Sequence, residues 1–117
     1  MPGQSVLVII SEDPRASHRA NEAMRIALGV VAGENEVSIV LTGAAAHLLD
    51  EDTDGLADGD DVAKFRAALK KLGIPFHVAA AALPDDPGWN ADGHPVVAIG
   101  AAEVAALVSK ARRFIIF

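Results

Sequence analysis

The feature that most constrains the fold is an alternation of short buried-strand patterns with amphipathic helical patterns. Ser5–Ile10 is a continuous valine, leucine and isoleucine run after its first residue, typical of a parallel strand covered on both faces. Apolar residues then recur at three- and four-residue spacing. This pattern predicts a helix that begins at Asp13 and Pro14, continues to about Ala32 and ends at Gly33.

The same alternation continues to the last residue. Further strands are predicted at 37–42, 74–79, 96–99 and 114–117, and further helices at 43–49, about 60–72 and 101–109. Residues 83–95 are predicted to form a long loop. Strands and helices in this order predict an α/β protein, a three-layer α/β/α sandwich with a mainly parallel five-stranded sheet, formed as a single domain over residues 1–117.

Composition narrows the possible functions. A length of 117 residues with 51% hydrophobic content suits one compact domain. The net charge of −6 and the scattered basic residues make nucleic acid an unfavourable partner. The apolar run at 6–10 is too short to span a membrane, and no basic segment precedes it. We therefore expect a soluble, cytoplasmic protein that binds neither membrane nor nucleic acid.

The chain contains no cysteine. This excludes disulfides, thiolate metal sites and thiol nucleophiles within the chain. In open parallel sheets, ligands bind beyond the carboxyl ends of the strands. That edge is predicted to gather Ser11, Thr42 and His77, which makes these three residues the candidate pocket.

Three segments together carry a resemblance to a known family: VLVIISEDPRASHRANEAMRIALG, GIPFHVAAAAL and VVAIGAAEVAALVSKARRFIIF. Their order and spacing resemble those of the DsrE/DsrF-like (DsrEFH) family of small sulfur-relay proteins, which includes the Tus sulfurtransferase subunits. The resemblance implies a Rossmann-like sandwich and a homo-oligomer, often a trimer or hexamer. A mean hydropathy of +0.30 is high for one small domain and also favours a homo-oligomer.

The resemblance also gives His77 a specific meaning. Sulfur-carrying members have a cysteine at the end of the third strand, just before small residues, and His77 in FHVAAAA occupies the matching position. Imidazole cannot carry sulfane sulfur. We therefore predict a binding or assembly subunit without sulfur transfer of its own, which binds a small molecule near His77. The alternative is an enzyme that uses His77 as acid or base on a small metabolite.

His18 is the fourth candidate for ligand binding. It is predicted to lie in the first turns of the first helix, beside Arg15 and Arg19, where an anion could bind. A solvated polar helix face is the simpler interpretation. A metal site made of His18, His47 and His77 has no supporting spacing, so no metal and no cofactor are predicted.

The acidic segment from Asp50 to Asp61 raises a further alternative. The segment matches positions 1, 3, 5, 6 and 9 of a calcium-binding EF-hand loop with Asp50, Asp52, Asp54, Gly55 and Asp58. Asp61 at position 12 is one methylene shorter than the usual glutamate. A solvated acidic loop that caps the next helix is the simpler interpretation. Trp89, in the predicted loop, either fixes that loop to the domain or contacts a neighbouring subunit or ligand.

Overall fold

A computed structural model describes residues 5–33, 35–50, 53–86, 88–91 and 93–117. Within these residues the chain forms strands, α-helices and short 3-10 helices in alternation. The strands are β1 (Ser5–Ile10), β2 (Glu36–Leu41), β3 (Phe76–Ala79), β4 (Val96–Ile99) and β5 (Arg113–Ile116). The helices are α1 (Arg19–Ala32), α2 (Gly59–Lys71) and α3 (Ala101–Lys110), with 3-10 helices at Gly43–Leu49 and Ala80–Ala82.

The five strands form one parallel sheet in the order β4-β3-β2-β1-β5. This confirms the predicted α/β class and the parallel sheet. In the pairing register, Ile9 lies opposite Val40, Val40 opposite His77, and His77 opposite Val97. Because side chains alternate between faces along each strand, these four residues point to the same face of the sheet.

The two faces of the sheet are covered unequally. On one face, Val8, Ile39 and Phe76 are fully buried in the main core, which α1, α2 and the 43–49 helix cover. The opposite face, called the α3 face below, is covered by α3, and its buried cluster is Leu7, Val40 and Ile99. No described residue of α3 is itself buried. The α3 face is therefore the thin side of the sandwich.

The first helix begins later than predicted. The carbonyl of Asp13 accepts hydrogen bonds from the backbone N–H groups of Ala16 and Ser17, which forms a separate turn. The Ser17 hydroxyl then accepts the N–H of Arg19, the first residue of α1, at 3.1 Å. This local side-chain turn at Ser17 separates the first turn from α1, and His18 is the N-cap residue that precedes α1 instead of lying within it.

The third strand is shorter than predicted. Ile74 donates its N–H to Leu69 in the last turn of α2, and Pro75 has no N–H to give to a neighbouring strand. Residues 74 and 75 therefore belong to the connection, and β3 begins at Phe76. His77 is the second of four strand residues, so the expectation that it ends the strand is wrong.

The loop over residues 83–95 is fixed to the domain through Trp89. The indole Nε1–H donates to the Ala46 carbonyl at 2.7 Å, and Asn90 donates its N–H to Leu49 at 2.7 Å. The half-buried Trp89 ring also packs against the main core. Of the two roles open from sequence, the structure shows that Trp89 holds the loop against the 43–49 helix.

Candidate functional site

Two of the predicted site residues meet at the carboxyl edge of the sheet. Ser11 follows β1 and Thr42 follows β2, and their hydroxyl oxygens lie 2.9 Å apart in a hydrogen bond. Ser11 also donates its backbone N–H to the Phe117 carbonyl at 2.6 Å. By strand alternation both side chains lie on the α3 face, and Ser11 is exposed. The hydroxyl pair is accessible to a small polar ligand.

His77 lies on the same face, between the strands that carry Val40 and Val97. Its ring is half-buried, and Nδ1 lies 3.3 Å from the backbone carbonyl oxygen of Ile39. A carbonyl oxygen can only accept a hydrogen bond, so Nδ1 carries the proton in this contact. In the neutral ring Nε2 is then a hydrogen-bond acceptor. The site thus contains one hydrogen-bond acceptor, Nε2 of His77, beside the apolar side chains of Val40 and Val97.

The expectation that Ser11 lies close to His77 needs correction. Strand β2 separates β1 from β3, so Ser11 and His77 are two strands apart. Thr42 is nearer in the sheet but lies two residues beyond Val40, which is about 7 Å along the strand. The hydroxyl pair and His77 share the α3 face without forming one hydrogen-bonded cluster.

His18 lies apart from the other candidates. Its Nδ1 is 2.5 Å from a carboxylate oxygen of Asp58, the residue that precedes α2. Since α1 and α2 cover the main-core face, His18 lies on the opposite side of the sheet from His77. The structure therefore does not bring His18 into the predicted pocket.

The two arginines beside His18 are paired with carboxylates. Arg15 bonds both oxygens of Asp13 at 3.0 Å, and Arg19 lies 3.7 Å from Glu12. The side-chain and backbone hydrogen bonds from Arg15 hold the pKa of the Asp13 carboxyl below its usual value. An anion at this helix start would have to displace these internal partners.

The described part of the acidic segment lines a cavity of about 420 Å³, whose lining residues are Thr53, Asp54, Leu56, Asp58, Gly59, Asp60 and Asp61. Two of the carboxylates that match positions of an EF-hand loop bond to histidines. Asp50 bonds Nδ1 of His47 at 2.9 Å, and Asp58 bonds His18. Asp52 lies outside the described residues. Across the described residues, no group of three histidine, aspartate or glutamate side chains is arranged to hold a metal ion.

The histidine–carboxylate pairs were missed from sequence. His18 and Asp58 are separated by 40 residues, and nothing in the local sequence connects them. His47 and Asp50 are three residues apart and come together because the 43–49 helix ends between them. The three histidines of the unsupported metal site, His18, His47 and His77, each have a different hydrogen-bond partner. No helix within the described residues is long and apolar enough to cross a membrane.

The chain is a small α/β protein with a parallel sheet, a hydroxyl pair at the carboxyl edge of that sheet and no thiol. A sequence profile of the DsrE/DsrF-like family matches residues 4–117. The chain belongs to that family.

A solved structure of the YchN protein from E. coli has a similar fold, with a TM-score of 0.73. Sequence identity to it is 15%, and the match covers 97% of this chain and 99% of that one. At this identity the likeness concerns the fold alone. No curated protein gives a significant match.

Proposed function

We propose that this chain is a cytoplasmic, homo-oligomeric binding or assembly subunit that does not carry sulfur itself. The observation that best supports this proposal is that position 77 is a histidine. In the family resemblance its position belongs to the sulfur-carrying cysteine, and the chain has no cysteine. An imidazole held by a backbone carbonyl can accept a hydrogen bond from a ligand, but it cannot form a persulfide.

Assembly is supported by the thin α3 face. Phe114, Ile116, Val97 and Val108 expose between 38% and 66% of their surface, and the three strand residues among them lie on this face. Exposed apolar side chains gathered on one face favour contact with another protein surface. The family resemblance makes a trimer or hexamer of identical chains the expected assembly.

Sulfur uptake tests the proposal. After incubation with inorganic polysulfide, intact-mass measurement of the unmodified protein should show no gain of a sulfur atom. The variant His77→Cys should gain one. A matched control is Ser109→Cys, which places a thiol on the exposed surface of α3.

The half-buried position 77 is expected to take up more sulfur than exposed position 109, because the family resemblance places the sulfur-carrying cysteine at position 77. Equal uptake by the two variants would remove the link between position 77 and sulfur chemistry. Uptake by the unmodified protein would overturn the proposal that the chain does not carry sulfur.

One observation favours the enzymatic alternative. The Ile39 carbonyl fixes the His77 proton on Nδ1, and this leaves Nε2 as a base with a defined tautomer. Such a base would act on a donor group of a small metabolite bound on the α3 face. A reaction that His77→Ala abolishes, while Thr42→Ala merely weakens substrate binding, would support this role over the non-catalytic one.

A further inference from the structure

Strand β5 lies at the edge of the sheet, and its outer side faces no strand within the described residues. The backbone of Phe117, just beyond β5, shows which way the N–H and carbonyl groups of the β5 residues point. Its N–H donates to Ile9 at 2.8 Å, and its carbonyl accepts from Ser11. In a strand, the N–H and carbonyl groups of one residue point to one neighbouring strand, and those of the next residue point to the other side. The groups of Ile115 therefore point toward β1, and those of Phe114 and Ile116 point outward.

The side chains of these two residues are also exposed. Phe114 is 49% and Ile116 66% exposed, and both lie on the α3 face because they pair with Leu7 and Ile9. Edge strands in natural proteins usually carry charges or proline that prevent further pairing. In β5 the one charge is on Arg113, at the first position. This edge is therefore open to another strand.

We propose that two copies of the chain pair through antiparallel β5 strands, about a two-fold axis at Ile115. This inference rests on the proposed assembly and specifies one of its contacts. In this register Phe114 lies opposite Ile116 of the partner subunit. The outward N–H and carbonyl groups of Phe114 and Ile116 in both copies then form four hydrogen bonds. Five strands from each copy make one ten-stranded sheet.

A second copy fits this edge because the edge is self-complementary. The register that satisfies the backbone groups also places Phe114 against the partner's Ile116 on one face, and such cross-strand apolar pairs are stabilising. Arg113 lies opposite Phe117 of the partner subunit, so the two Arg113 residues are about 14 Å apart. Parallel pairing would bring these like charges together, which favours the antiparallel arrangement.

The α3 helices of the two copies would lie on the same side of the joined sheet. Each α3 leads into β5 and exposes Val108 near its C-terminal end. The helices can therefore add apolar area beside the strand contact, since four side chains alone are too few for a stable dimer. A two-fold contact of this kind closes on itself, so the assembly contains an even number of chains.

Sedimentation analysis of two matched lysine variants tests the contact. Ile116→Lys places a charge in the β5 contact, whereas Leu72→Lys places one just after α2, on the side of the sheet opposite to the α3 face. The unmodified protein should sediment as an even-numbered assembly. Ile116→Lys should halve its mass, and Leu72→Lys should leave it unchanged. Circular dichroism should show both variants folded, since both positions are exposed.

Hydrogen exchange gives a second readout that needs no variant. In the assembled protein the amides of Phe114 and Ile116 should exchange slowly although β5 is an edge strand of the single chain, and the Ile115 amide, bound to β1, should be protected as well. An odd-numbered assembly, an unchanged mass for Ile116→Lys, or fast exchange at Phe114 and Ile116 in the assembly would overturn the β5 contact and leave the assembly proposal standing. A monomeric unmodified protein would overturn both.

Discussion

Gly59, the first residue of α2, shows how one missing side chain can shape the acidic segment. A Cβ atom at this position would overlap the backbone carbonyl of Thr53. Gly29, in the last turn of α1, has open space where its Cβ would be. The two glycines therefore have opposite roles: one permits a close backbone approach, and the other weakens a helix.

Replacing each glycine by alanine should change stability in opposite directions. Gly59→Ala should lower the free energy of unfolding by about 1–3 kcal/mol, because the backbone at Thr53 must move. Gly29→Ala should raise it by about 0.5–1 kcal/mol through helix propensity. Urea denaturation of both variants measures the difference. A neutral Gly59→Ala would mean that the Thr53 carbonyl does not approach α2 as described.

Asp13 gives a pH-dependent prediction. Hydrogen bonds from Arg15 lower its pKa in the folded state, so the ionised pair stabilises the fold at pH values above the pKa of an unfolded aspartate. This contribution is lost as the pH falls through the lower folded-state value. Asp13→Asn should cost at most about 1 kcal/mol at pH 7, since the pair is largely solvated. The difference from the unmodified protein should disappear in strongly acidic denaturation series, and a constant difference at all pH values would contradict this account.

Among the secondary-structure elements, the best-predicted ones carry strong periodic patterns. Strand β1 was predicted closely because the apolar run at 6–10 acts locally. Helix α2 was predicted closely because the acidic Asp60 in its first turn, the basic Lys70 in its last turn and Gly73 just beyond its end are local start and stop signals. The start of α1 was missed because the Ser17 hydroxyl competes with an earlier start at Pro14. The sheet order, which separates Ser11 from His77, depends on packing between distant elements and cannot be read from local sequence.

The link between α2 and the 43–49 helix depends on Arg66, which is 3% exposed. Its Nη1 donates to the carbonyls of Leu48 at 3.0 Å and Asp50 at 2.7 Å. Arg66→Met would keep the stem volume but remove these donors from buried carbonyls, so we expect a loss of about 2–4 kcal/mol in unfolding free energy.

The matched control for this change is Arg25→Met. Arg25 is exposed and pairs with Glu22 within α1 at 2.7 Å, so its replacement should change stability by less than about 0.5 kcal/mol. Thermal and urea unfolding of the two variants compares them directly. Similar losses for both would show that the buried contacts of Arg66 do not stabilise the fold.

The acidic segment should not act as a specific calcium site. Its first and ninth EF-hand positions, Asp50 and Asp58, bond to His47 and His18, and no three acidic or histidine side chains among the described residues are arranged to hold a metal ion. Isothermal titration of the unmodified protein with calcium should therefore show no saturable binding. Saturable heat that both Asp50→Asn and Asp54→Asn abolish would contradict this prediction and revive the calcium-binding alternative.

At the scale of the whole molecule, the unequal faces of the sheet connect fold and function. The main-core face is closed by two α-helices and a 3-10 helix, whereas in the part of the chain that the structure describes the opposite face is covered by α3 alone. The half-buried His77 and the exposed Val97, Phe114 and Ile116 share that thin face. Assembly and ligand binding are therefore proposed on the same side of the molecule.

The most direct test of the central claim is the mass of the unmodified protein in solution. Static light scattering at micromolar concentration should give a multiple of the 12.1 kDa chain mass, because association would cover the apolar α3 face. The mass should stay constant over a tenfold dilution if the assembly is tight. A mass of one chain at micromolar concentration would contradict the claim that this protein is an assembly subunit.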